Sequence, residues 1–310
     1  MLRKLAVTAV LATTVAAAMP AQAASFDARS LMRSFNAIVL NDLDTQVETE
    51  GAVYVGGDYV GGATVNSDNS PDVDLGNGIK GSLIVGGSFT GNHINLESGD
   101  AFFGGSINGN VNNNGGGVIS TGVSGIPVND IKTMMIDFSA ELAALAPTGG
   151  VANVTDNNNI GFIANPDANN VAVFNIDDTG LKNAGTYFGV TADLGVTTVI
   201  NVSGKHIDSR LNLNLTQNSV IFNFYEAETL NIHAAFNASI LAPLADLVLT
   251  GGGVNGTLVA NNLNQDSEIR APLYNGVIPV TSVPLPTPIL MLLTALGALG
   301  VASQRRRLLA

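Results

Sequence analysis

The chain has no cysteine and no tryptophan, three histidines, and only 13 lysines and arginines in 310 residues. Without cysteine there are no disulfide staples and no thiolate metal site, so any fold must be held by hydrogen-bonded ladders and apolar stacking. Charged residues make up 12% of the chain, but hydrophobic ones reach 46%, ample for a core, so the low charge does not signal disorder. All 25 acidic residues lie between Ala24 and Ser282, and only eight of the basic ones do, which leaves that span at −17. A surface so poor in cations repels nucleic acid and anionic lipid and suits solubility or cation binding, so no nucleic-acid partner is expected. Catalytic signatures are scarce as well. His93, His206 and His233 are widely separated, and neither an HExxH helix nor a GxSxG elbow occurs.

What the chain does have is repetition. Glu50 to Gly62 carries a β-branched run ending in a double glycine, Val53-Tyr54-Val55-Gly56-Gly57. Leu83-Ile84-Val85-Gly86-Gly87 repeats it, Ala101-Phe102-Phe103-Gly104-Gly105 shortens it, and Leu258-Val259-Ala260-Asn261-Asn262 keeps its shape with two asparagines. Strand, tight corner, strand is the pattern of a β-solenoid. Val53, Val55, Leu83 and Val85 then point inward, with Tyr54 and Ile84 on the other face. The glycines are expected to supply positive φ at the corners, a task that Asn108 to Asn114 also suits. Eight further short strands are expected between Val171 and Ala260, with starts every 7 to 10 residues toward the end, a spacing that also suits a β-sandwich. Two segments break the pattern. Phe26 to Ser34 reads as a short capping helix, and Ile126 to Ala146, with Ile131, Met134, Met135, Phe138, Leu142 and Leu145 at spacings of three and four, reads as a helix along one outer face. The expected fold class is therefore mostly β, a right-handed β-helix with one long helix at its side, the sandwich being the alternative.

Both ends read as addresses. Arg3 and Lys4, the apolar run Leu5 to Met19 and the small-residue site Ala21-Gln22-Ala23 make residues 1–23 a secretory signal peptide, with cleavage between Ala23 and Ala24. At the other end Val283-Pro284-Leu285-Pro286 precedes the apolar stretch Ile289 to Ala302 and the basic stop Arg305-Arg306-Arg307. That stretch is short of the roughly 20 residues a bilayer requires, and reaches that length only with the proline-rich motif included. This tail resembles the PEP-CTERM class of sorting signals in its VPLPA-CTERM variant, with Thr287 where alanine is usual. The resemblance implies an exosortase-type processing enzyme as a partner, transient residence in the inner membrane, and export to the cell surface or matrix of a Gram-negative bacterium that makes extracellular polysaccharide. The expected plan is signal peptide 1–23, domain 24–270, extended linker 271–282 and sorting signal 283–310.

The candidate chemistry is thin. Asp68, Asp72 and Asp74 form the densest carboxylate group, hard oxygen ligands in a loop of the kind calcium favours, although the spacing is not that of an EF-hand and a polar turn explains it as well. Glu226 and Glu228 could pose as paired carboxylates, or be a solvated rim. Gly76 to Gly81 matches GxGxxG but leads into a strand, where dinucleotide binding requires a helix. Asn212, Asn214 and Thr216, with Thr229 to Asn231, could stack into a polar ladder like an ice-binding or carbohydrate-binding face.

Phe35-Asn36, Val39-Leu40 and Glu50-Gly51-x-Val53-x-Val55-Gly56-Gly57 resemble the opening of the choice-of-anchor A domain. Ser239-Ile240-Leu241-Ala242-Pro243-x-Ala245 and Gly256 to Ala260 resemble its close. The resemblance implies an exported adhesive domain on a right-handed β-helix with a flanking helix, similar to ice-binding proteins, and no catalytic residues. The expectation is thus a surface or matrix protein linked to biofilm or exopolysaccharide, not an enzyme, with calcium the only candidate cofactor. An ice-binding protein on the same fold is the alternative, ahead of a polysaccharide-acting enzyme.

Overall fold

The computed structural model describes residues 26–278, apart from 154–159, 183–186, 192, 194, 214 and 216. The signal peptide with Ala23 and Ala24, the motif Val283 to Pro286 and Arg305 to Arg307 lie outside the described residues. So does the apolar stretch between them; among the described residues no helix is long and apolar enough to cross a membrane.

The described residues are mostly β, with two α-helices among them, α1 (Ala28–Met32) and α2 (Val128–Ala143), and 17 of the described strands join in one large sheet. Every pairing within that sheet is parallel. Among the described residues, antiparallel pairing is confined to two short strand pairs, Val151–Asn153 with Ile160–Ile163 and Val73–Asp74 with Lys80–Gly81. The sandwich alternative, built from antiparallel sheets, does not describe this pairing, whereas a curled parallel sheet is compatible with the expected solenoid.

Pairing order shows how the chain is wound. One row runs Val171–Asp177, Thr197–Ser203, Val220–Asn223, Ser239–Leu249, Leu258–Gln265, Ala37–Val39, Val53–Val55, Leu83–Val85, Ala101–Phe103 and Ile119–Ser120. The first strand of the chain therefore sits in the middle of the row, beside a strand some 220 residues later. From there the chain builds outward to Ile119–Ser120, crosses to the far end, and builds back until Leu258–Gln265 closes on Ala37–Val39. A second row follows the same order along Leu43–Thr45 and Tyr59–Gly61, and a third along Thr49, Thr64–Val65 and Ile269–Arg270. Side chains from all three rows, such as Val53, Tyr59 and Val65, meet in one buried core.

Helix α2 makes the crossing. Its 16 residues span about 24 Å at 1.5 Å each, equal to five strand spacings of about 4.8 Å. Val128 at its start lies beside Gly56 and Gly86. At its end the Leu142 carbonyl accepts from Asn201 Nδ2 at 2.9 Å, five strands along the row. Ile131, Met135, Phe138 and Leu142 are buried against the outward side of the first row, where Ile38, Tyr54, Ile84, Val199, Ile221, Leu241 and Val259 point away from the inner core. Each apolar side chain so covered contributes about 1.5–3 kcal/mol. The expected stripe and the expected face are both found, and the strand period of two explains why alternate residues of one row feed two cores. An asparagine ladder fastens the helix end. Asn201 Nδ2 also reaches Asn175 Oδ1 (3.0 Å), Asn223 Nδ2 reaches Asn201 Oδ1 (2.8 Å) and the Ser139 carbonyl (2.9 Å), and Ser139 Oγ donates to Asn223 Oδ1 (2.6 Å). Carbonyls at a helix C-terminus lack intrahelical donors, and the ladder supplies one to Leu142.

Residues 271–278, expected as the start of a linker, are extended but docked. Tyr274 and Ile278 are buried. Arg33 Nη2 donates to the Gly276 carbonyl (2.6 Å), Arg29 Nε donates to the Ile278 carbonyl (3.0 Å), and the Val277 amide donates to Thr197 Oγ1 (2.7 Å). Apolar side chains and a run of backbone partners hold these residues to the body.

Burial pushes the phenols of Tyr54, Tyr59 and Tyr274 far above their ordinary value. The folded state thus keeps protons that the unfolded chain releases above about pH 10, so stability falls as pH rises through that region. With five tyrosines in the chain, absorbance at 295 nm should show no more than two tyrosinates in the folded protein at alkaline pH, the other three appearing only with unfolding. Ionisation of a third before the loss of circular dichroism would contradict this.

Candidate functional site

The second row is built from one triplet used eight times. His206-Ile207-Asp208, Thr229-Leu230-Asn231, Asp246-Leu247-Val248, Asn262-Leu263-Asn264, Asp42-Leu43-Asp44, Asp58-Tyr59-Val60, Ser88-Phe89-Thr90 and Ser106-Ile107-Asn108 lie side by side in register. The middle residue of each packs in or against the inner core. Strand alternation then turns the two flanking residues outward, giving two columns about 34 Å long at about 4.8 Å per step.

The columns differ in chemistry. In the first, side chains bind their neighbours. Asp42 Oδ1 accepts the Asp58 amide (2.8 Å), Asp58 Oδ1 the Ser88 amide (2.7 Å), Ser88 Oγ the Ser106 amide (3.1 Å) and Asn262 Oδ1 the Asp42 amide (3.1 Å). Asn262 Nδ2 in turn donates to Asp246 Oδ1 at 2.6 Å. This column is a structural stair. In the second column Asp44, Thr90, Asn231 and Asn264 make no side-chain hydrogen bond to any described residue. Their donors and acceptors face solvent, interrupted by Val60 and Val248. That column is the candidate binding face.

Further ionisable groups lie at the far end of the two columns. Asp208 pairs with His233 Nε2 (2.8 Å), whose Nδ1 lies 2.8 Å from Thr250 Oγ1, and His206 Nδ1 lies 3.2 Å from Thr229 Oγ1. Lys205 pairs with Glu228 at 2.6 Å. The hydrogen bond and charge of Lys205 hold the Glu228 carboxyl below the usual range, and Glu228 raises Lys205 in return. A general acid requires the opposite shift. Glu226 accepts instead from the Gly204 amide (2.8 Å), so the two carboxylates are not poised as a pair.

Other expected sites fall elsewhere. Asp68 caps Ser70 through its amide (2.9 Å) and hydroxyl (3.0 Å), Asp72 accepts from Ser82 Oγ (2.7 Å) and the Asp100 amide (3.1 Å), and Asp74 accepts from the Gly76 amide (2.8 Å). Asp68 and Asp74 thus serve their own turns and Asp72 ties its loop to Ser82 and Asp100, and among the described residues no three His, Asp or Glu side chains gather to hold a metal ion. Gly76 to Gly81 forms the tip and second strand of the small hairpin Val73–Asp74/Lys80–Gly81, without the helix a dinucleotide site requires. Asn212 sits in a separate four-stranded sheet, and Asn214 and Thr216 lie outside the described residues. Of the ladder read from the sequence, only Thr229 and Asn231 belong to the polar columns. The missed members share a signal, the triplet of one large apolar residue between two mostly polar ones, which is too short to recognise until the register aligns its copies.

A stack of short parallel strands around an apolar core, with an outer helix and a polar repeated face, defines a class of mostly β protein built on one large parallel sheet. Within that class the chain belongs to the family described as Putative Ice-binding-like adhesive domain, whose model matches residues 28–271. No curated protein and no solved structure matches it.

Proposed function

We propose that this chain is an exported adhesive protein of the cell surface or extracellular matrix, that its body is a right-handed β-helix, and that the column through Asp44, Asn231 and Asn264 is its binding face. The observation that carries the reading is that column: two side-chain amides, a carboxylate and a hydroxyl without partners of their own, repeated at strand spacing, in a chain of an adhesive-type family. Such an array suits a hydroxyl-rich polymer, where many weak hydrogen bonds add through effective concentration. The flanking carboxylates of Asp42, Asp58 and Asp246 disfavour an anionic polymer and favour a neutral or amino-bearing one. Export and anchoring rest on residues 1–23 and 283–310, with an exosortase-type enzyme as the processing partner and biofilm or exopolysaccharide as the setting.

The triple variant Asp44→Ala/Asn231→Ala/Asn264→Ala should melt within a few degrees of the parent, since these side chains hold nothing else in the fold. Its retention on immobilised neutral polysaccharide should fall about tenfold or more, as expected when several of many additive contacts are removed. Unchanged retention would remove the column from the reading, and no retention by the parent would remove adhesion itself. The family description also favours an ice-binding reading on the same face; thermal hysteresis in the parent that is lost in the triple variant would select it.

A further inference from the structure

We propose that the strand Ile107–Asn113 is a self-association edge, pairing antiparallel with the same strand of a second copy of this chain. Among the described residues this strand pairs only with Phe89–Leu96, so one side of its backbone has no strand beside it. The register shift between Asn108 and Asn110 divides the edge and leaves Asn110–Asn113 as its continuous part. Proteins usually protect such edges with charge or proline. Here the whole stretch of residues 101–129 contains no Asp, Glu, Lys, Arg or His, and its one proline, Pro127, lies outside the strand.

The core beneath the edge is also unfinished. Phe89, Ile94 and Leu96 in the strand below are fully buried, whereas Ile107, Val111 and Ile119 are only partly so. The opposite end of the first row is treated differently: there the edge strand Val171–Asp177 is bonded on its free side by Thr148, whose amide donates to the Val173 carbonyl (3.2 Å) and whose Oγ1 accepts the Val173 amide (3.1 Å).

A second copy is the occupant that these features favour. A body carrying −17 between Ala24 and Ser282 repels its like, and contact is least opposed where a long uncharged stretch meets its own copy. Antiparallel pairing of one edge with itself about a two-fold axis matches every donor with an acceptor, which is what an isologous interface requires. It would also cover the half-buried Ile107, Val111 and Ile119 layers of both copies.

Sedimentation equilibrium of the purified protein should show a reversible dimer. The variant Asn108→Lys/Asn110→Lys adds two like charges per copy at side chains that are already exposed, and should weaken the dimer at least about tenfold with an unchanged circular dichroism spectrum. Hydrogen exchange provides a readout on the unmodified protein: amides of residues 110–113 should slow as its concentration rises. A parent that stays monomeric at the highest attainable concentration, a dimer that survives the double lysine change, or exchange at 110–113 that ignores concentration would each overturn the proposal.

Discussion

Gly86→Ala should unfold the protein or lower its stability by upwards of about 4 kcal/mol, the range reserved for changes that a packed backbone cannot absorb. The double glycines invited explanation by positive φ, but Gly56, Gly57, Gly86 and Gly87 are not among the residues with positive φ. Their constraint is close approach. The Gly86 amide donates to the Val55 carbonyl at 2.7 Å, and a Cβ on Gly86 would stand under 3.0 Å from both the Gly56 carbonyl oxygen and Val128 Cγ2 of α2. Backbone lies on one side and a helix on the other, so no rotamer change relieves the overlap. Gly78→Ala is the control. Gly78 has φ +81° but nothing within 4 Å of an added Cβ, so its cost should be the left-handed strain alone, about 1–2 kcal/mol. At roughly 2–4 °C per kcal/mol for a domain of this size, thermal melting separates the two. Equal melting temperatures would show that close stacking is not the constraint.

Asn36→Ala should cost about 4 kcal/mol, because Asn36 closes the seam between the beginning and end of the domain. Its fully buried side chain accepts the Gly51 amide at 2.9 Å and donates to the carbonyls of Gly256 (2.7 Å) and Arg270 (3.2 Å). Its backbone continues the bridge: the Asn36 amide donates to the Ala52 carbonyl and the Leu258 amide to the Asn36 carbonyl. Alanine leaves the Gly51 amide and the Gly256 carbonyl without partners, at about 1–3 kcal/mol for each group left unsatisfied, while the Arg270 carbonyl keeps the Gly256 amide. Because the seam joins strands that are distant in sequence, the loss should also be local. Amide exchange at Leu40 and Leu258, which bond across it, should accelerate more than at Phe222 in the middle of the returning half. A melting temperature within two or three degrees of the parent would show that the seam holds without this side chain.

Both predictions concern positions whose importance the sequence marks but misattributes or hides. Gly56-Gly57 and Gly86-Gly87 stand out as a repeat, and their location at strand ends is legible. That they serve because strands stack on them from both sides is not, since nothing local distinguishes a glycine chosen for φ from one chosen for room. Asn36 is one asparagine among many, and its three partners lie 15, 220 and 234 residues away.

Local periodicity was a reliable guide where a side chain's direction depends on its own element. Val53 and Val55 point inward and Tyr54 outward, and the apolar stripe from Ile131 to Leu142 buries as its spacing of three and four requires, because those periods belong to strand and helix geometry. The mostly β character, the two helices and the repeated corner with its Asn261-Asn262 copy follow from residues within a few positions of one another. Tertiary pairing decided the rest. It placed Ala37–Val39 mid-row against Leu258–Gln265, sent α2 across five strands, held residues 271–278 to the body, and gave Asp68, Asp72 and Asp74 separate partners. It also aligned eight triplets into a bonded stair and an open column. These outcomes depend on register between segments up to about 220 residues apart, and register is set by the packing of whole rows, which no short stretch of sequence contains.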